Sequence, residues 1–137
     1  MSEQFSYDAA RDPPAPVLPA RIGGPGESPA VLLGFLVDSG ADMTVVPEAL
    51  VRNLRLPAVS QISVRGVGGI LRRARVYAAE IDAAGTRVVV EVLGIGSDAL
   101  LGRDVLNGWV TTLRGPQRVL EVTAGPAGSQ AGRDPAG

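Results

Sequence analysis

At 137 residues the chain is one domain long, with room for a single well-buried core. It is 45% hydrophobic with a formal net charge of only -1, too apolar and too weakly charged to remain unfolded. It has no Cys and no His, and all 13 of its basic residues are Arg. That excludes thiol and imidazole nucleophile systems, disulfides, the usual zinc sites and lysine Schiff bases. A cofactor-free enzyme built from what is left must use carboxylates as acid and base. The charge balance carries no basic footprint for nucleic acid. The longest apolar run, AVLLGFLV at 30–37, is far short of the roughly 20 residues needed to span a bilayer. The start of the chain has no charged segment leading into an apolar one, as a secretory signal would. Neither nucleic acid nor membrane is expected as a partner, and the expected compartment is the cytoplasm.

Residues 1–16, with DPPAP at 12–16, show no sustained period and read as a disordered N-terminal tail. PVLPARIGG at 16–24 opens the domain, although two prolines in or beside it disfavour a paired strand. PEALVRNL at 47–54 predicts one or two helical turns, with Pro at the first helical position and Leu50 and Leu54 on one face. RGVGG at 65–69 is a glycine-rich tip between two extended segments; no helix pattern follows it and no Lys accompanies it, so it predicts a hairpin rather than a phosphate loop. Residues 70–93 predict a second hairpin turning at IDAAGT (81–86), with Val88, Val90 and Val92 on one face and Glu91 on the other. GRDVLNGW at 102–109 predicts a short helix whose Val105, Leu106 and Trp109 face a core. VTTLR and RVLEV flank Gly115, Pro116 and Gln117 and predict a last hairpin, followed by a Gly/Pro/Ala tail at 124–137. The folded domain is thus expected over 17–123, mainly β, with one or two short helices.

The segment richest in chemistry is GFLVDSGADMTVV at 34–46. Asp-Ser-Gly is ordinary turn chemistry. Here, however, apolar residues precede it and resume at once after it, which delivers Asp38 into apolar surroundings of the kind that tune a carboxyl group for acid–base work. Ser39 lacks any His or Lys to activate it as a nucleophile. The short charge run of Arg72, Arg73 and Arg75 is expected to be a solvated strand face.

DSGA at 38–41, RGVGG at 65–69 and LLGRDVL at 100–106, in this order and spacing, resemble the retropepsin-like aspartic proteases, over about residues 20–122. The resemblance implies a closed, mostly antiparallel acid-protease β fold with a flap hairpin, a homodimer with its active site on the two-fold axis, and hydrolysis of peptide bonds without metal or other cofactor. It implies that Asp38 is the catalytic aspartate and that Ser39, Gly40 and Ala41 complete the active-site loop. It further implies that Gly66, Val67, Gly68 and Gly69 form the flap, that Asp42 meets the substrate backbone, that Leu100 belongs to the substrate-binding set, and that Arg103 pairs with Asp42. That pair is expected to be buried, where loss of one partner costs roughly 3–5 kcal/mol. The residues agree on stoichiometry: acid–base hydrolysis by water wants two adjacent carboxylates, each chain has one DSG, and a symmetric dimer supplies the second Asp38. The alternative reading is a catalytically silent module of the same fold that dimerises or binds peptides.

Overall fold

The computed structural model describes residues 2–125. In chain order the elements are β1 (Ser2–Ser6), β2 (Val17–Gly23), β3 (Val31–Val37), β4 (Val45–Val46), α1 (Glu48–Leu54), β5 (Ala58–Arg65), β6 (Leu71–Ala83), β7 (Thr86–Gly94), β8 (Leu100–Leu101), α2 (Arg103–Leu106), β9 (Trp109–Arg114) and β10 (Val119–Ala124). Seven strands form one sheet in the order β2-β3-β8-β4-β7-β6-β5, and β2 also pairs with β6, so the sheet closes on itself and leaves β5 as an outlying edge. The pairing is mostly antiparallel; the exceptions are β3 with β8 and β4 with β7, which run parallel. Parallel pairs need crossovers, and the chain makes them through α1 and the β5–β6 hairpin, with β8 returning beside β3.

Alternation explains the strands. In β2, Leu18, Ala20 and Ile22 point inward and are buried, and Val88, Val90 and Val92 of β7 pack on the same core. Phe35, Ile81, Leu101 and Val46 close the barrel interior with essentially no exposure, and each such side chain contributes about 1.5–3 kcal/mol of burial. The β6–β7 turn is built on Ala84 and Gly85, both at positive φ, the geometry that two-residue hairpin turns favour. α1 carries Glu48 in its first turn, and Pro47 sits at the N-cap, one position earlier than the sequence pattern predicts. The two segments expected to pair through Gly115–Gln117 do so as β9 and β10.

Three departures from expectation have physical causes. The first residues are not a tail: Ser2–Ser6 pair antiparallel with Val119–Thr123, giving a small sheet in the order β1-β10-β9. Phe5 packs on the core beside buried Leu120, and Tyr7 N–H donates to the Arg118 carbonyl at 2.9 Å. Pro19 sits inside β2, opposite Gly34, in the stretch that β3 alone pairs; the β6 pairing begins only at Arg21, so no β2–β6 hydrogen bond is lost to the missing N–H. Of the expected C-terminal tail, Ala124 belongs to β10, and residues 126–137 lie outside the described part. Among the described residues no helix is long and apolar enough to cross a membrane.

Candidate active site

Asp38 follows directly on the apolar strand β3. Its backbone N–H donates to the Leu101 carbonyl of β8 at 3.0 Å, which fixes the turn to the sheet floor. Its Oδ1 accepts the Gly40 N–H at 3.0 Å, and its carbonyl accepts the Ala41 N–H at 3.1 Å. The side chain is therefore held by its own loop. A Cβ on Gly40 would stand 3.3 Å from that same Oδ1, closer than a side chain comfortably allows, so glycine keeps the N–H within reach of the carboxylate. Asp38 is half-buried rather than sunk in the apolar surroundings that the sequence implies, because Ser39 and Gly40 beside it are exposed.

The loop is braced from the opposite end of the chain. Arg103 N–H donates to the Ala41 carbonyl at 2.9 Å, its Nη1 donates to the Ser39 carbonyl at 2.6 Å, and its Nη2 pairs with Asp42 Oδ1. The expected Asp42–Arg103 pair thus exists, but it is not buried: the two side chains are 83% and 44% exposed. Solvent screening leaves such a pair about 0–1 kcal/mol, not the several expected of a buried one.

A second tie, between Thr44 and Asp104, has no counterpart in the sequence reading. Thr44 is fully buried; its N–H donates to Asp104 Oδ2 at 3.0 Å and its hydroxyl to Oδ1 at 2.8 Å. The same hydroxyl accepts the buried Gly102 N–H at 3.1 Å. Gly102 lies so close that a Cβ there would meet the Met43 backbone at 2.6 Å. Asp104 and Thr44 are 60 residues apart, so no local pattern announces them.

Beside the loop runs a cleft of about 480 Å³. Gly40, Ala41, Asp42 and Met43 form one wall, Ile62 to Arg65 of β5 the other, with Val45 and Leu93 between. Successive strand residues point to opposite faces, so a cleft touching four in a row meets the edge of β5, which has no strand beyond it. Ile62 and Val64 repeat at period two, the one signal by which the sequence hints at this wall. Leu100 and residues 66–69 are not on its lining. Leu100 instead pairs in register with Leu36 and Val45, holding the two ends of the Asp38 loop together. Gly66–Gly69 form the tip of the β5–β6 hairpin: Gly66 N–H donates to the Ile70 carbonyl at 2.9 Å, and Gly68 and Gly69 take the positive φ that makes glycine necessary there.

A family model described as aspartyl protease matches residues 12–105. The chain belongs to the aspartyl protease family. That match takes in Asp38 with its loop, the β5–β6 hairpin, and the start of α2. Among solved structures the chain is similar to the Simian Foamy Virus (mac) protease, with 28% identity, a TM-score of 0.51, and coverage of 67% of this chain and 92% of that one. A retropepsin-like aspartic protease from Rickettsia conorii superposes with a TM-score of 0.63 over 89% of both chains at 14% identity, a likeness of fold. EIAV protease, in complex with the inhibitor HBY-793, gives a TM-score of 0.53 at 23% identity, over 75% of this chain and 92% of that one. No curated protein matches the chain. The retropepsin-like resemblance of the sequence is thereby upheld.

Proposed function

We propose that this aspartyl protease family member is an active endopeptidase that works as a homodimer, with Asp38 of each subunit facing the other across the two-fold axis. The observation that carries the reading is the intact Asp38-Ser39-Gly40 turn. Its carboxylate is oriented by the Gly40 N–H, and the turn is anchored to β8 and braced by Arg103. A module kept only for docking has no need of a carboxylate held in this way.

In the proposed mechanism the two Asp38 carboxyls share one proton. The ionised one removes a proton from water as the water oxygen attacks the peptide carbonyl, and the protonated one gives its proton to the carbonyl oxygen. The tetrahedral diol then collapses: the carbon–nitrogen bond breaks, a hydroxyl proton returns to an Asp38 carboxylate, and the leaving nitrogen takes up a proton from the pair. The cleft supports an extended peptide as substrate, because the unpaired edge of β5 offers backbone N–H and C=O groups to a strand laid along it. In this reading the 66–69 tip is the flap that covers the bound peptide.

The test is incubation with a mixed peptide library, with and without pepstatin, followed by mass spectrometry of the products. Cleavage that pepstatin suppresses supports the reading. Intact peptides at micromolar dimer over a day favour the silent module.

A further inference from the structure

The charge on the β5–β6 hairpin is one-sided. Residues 58–76 contain Arg65, Arg72, Arg73 and Arg75 and no acidic residue, while the rest of the chain sets nine Arg against fourteen acidic residues. The four arginines differ in what they meet. Arg73 donates to Gln61 Oε1 at 2.8 Å, and with Arg75 it lines a separate depression that also holds Glu48. Arg72 lies directly opposite Val64 and, by alternation, on the same face as buried Ala74 and Val76, which pack with the cleft residues Met43, Val45 and Val64, although Arg72 itself is not on the cleft lining. Arg65 is on the cleft lining itself; it pairs with Leu71, on the strand face of Ser63 and Arg73, and meets the cleft at the edge of β5, with its guanidinium Nη1 3.9 Å from where a Cβ on Gly69 would stand.

The other charged group on that lining is Asp42, and its charge is met by Arg103. Among the described residues neither Arg65 nor Arg72 has an acidic partner. Arg65 therefore brings an unmatched positive charge to the end of an apolar wall made by Met43, Val45, Ile62, Val64 and Leu93. From this we infer that the cleft selects peptides carrying an acidic side chain, Glu above Gln, at a position that lies against Arg65, with Arg72 adding to the same field. The inference rests on the reading of this cleft as the peptide site, and it names the substrate class. The acidic position falls away from the scissile bond, since next to that bond its charge would meet the Asp38 carboxylates.

The probes are two randomised octapeptide sets that differ at one fixed position, Glu in one and Gln in the other, with the fixed position moved along the peptide. For wild type, kcat/KM at the best register should favour Glu about five-fold, the ratio that one partly screened ion pair supplies. Arg65→Glu should invert the preference toward a third set with Lys at that position, and Arg75→Glu, at a residue that lines the separate depression with Glu48 and not the cleft, should leave the Glu-to-Gln ratio near that of wild type. Equal rates for Glu and Gln at every register, or an unchanged ratio in Arg65→Glu, would overturn the inference. Fluorescence anisotropy of the same labelled sets on the Asp38→Asn protein separates this from the catalytic reading. Glu-selective binding with no cleavage by wild type keeps the inference and sinks the protease. Cleavage without selectivity does the reverse. If neither set binds or is cleaved, both fall.

Discussion

Thr44 and Asp104 are joined by two hydrogen bonds, from the threonine N–H at 3.0 Å and its hydroxyl at 2.8 Å, one to each carboxylate oxygen. This pair fastens the strand that leaves the Asp38 loop to the short helix α2. It does so from a residue with no solvent exposure, whereas the neighbouring Asp42–Arg103 pair lies in solvent. The two ties differ in what they contribute, and mutation should separate them.

Thr44→Val removes the hydroxyl and leaves the buried Gly102 N–H without its acceptor, for a cost of about 2 kcal/mol. Asp104→Ala takes the acceptors of the Thr44 and Val105 N–H groups and should cost a similar amount. Asp104→Asn keeps one oxygen to accept from the threonine hydroxyl and should cost less than Asp104→Ala. Urea unfolding at neutral pH ranks the three; an Asn variant as unstable as the Ala variant would contradict this arrangement.

Arg103→Ala, in contrast, should lower unfolding free energy by only about 1 kcal/mol, because its partner Asp42 is exposed. Its larger effect should fall on turnover, since Arg103 also holds the Ser39 carbonyl and so the position of Asp38. The check is to compare the urea midpoint with kcat for a cleaved peptide. A loss of 3 kcal/mol or more would mean that the pair is buried.

The Asp38–Ala41 turn can be read from the sequence, and its bracing only half so. Asp38-Ser39-Gly40 and Leu100-Leu101-Gly102 are contiguous, and their chemistry is written in adjacent residues. The three hairpins with Gly-bearing turns can be read for the same reason. β1 could not: SEQFS lacks alternation, and its pairing exists only because β10 arrives from the other end of the chain. Thr44 likewise reads as one polar residue in an apolar run until Asp104 is folded against it. The burial expected for Asp42–Arg103 failed because pairing is a matter of reach, whereas burial depends on what packs above the pair, which spacing does not encode.

Gly102→Ala should be severely destabilising. A methyl group at that position would meet the Met43 carbonyl carbon and oxygen at 2.6 Å, and both are backbone atoms that cannot swing aside. We expect a loss of about 3 kcal/mol or insoluble expression, read by thermal unfolding or by the soluble fraction. A variant with wild-type Tm would contradict the close approach of α2 to the loop.

Glu80 is 8% exposed; it accepts the Gly26 N–H at 2.9 Å and pairs with Arg87. The Gly26 N–H, helped by Arg87 and opposed by burial, holds its carboxyl below the usual 4.5. A depressed folded-state value contributes stability that is present above the unfolded-state value and lost as pH falls through the folded one. Glu80→Gln should therefore be less stable than wild type at pH 7, and the gap should close as pH falls below 4.5. Denaturant midpoints across pH 3 to 7 check this; a gap that is constant with pH would contradict it.

The central claim is that the Asp38 carboxylate performs the chemistry, and Asp38→Asn tests it most directly. The amide is nearly isosteric and Asn Oδ1 can still accept the Gly40 N–H, so fold and dimer should persist while the base is gone. On a peptide that the wild type cleaves, the purified variant should show kcat/KM reduced at least about a thousand-fold, with unchanged sedimentation and Tm. Activity near the wild-type level in that variant would contradict the account.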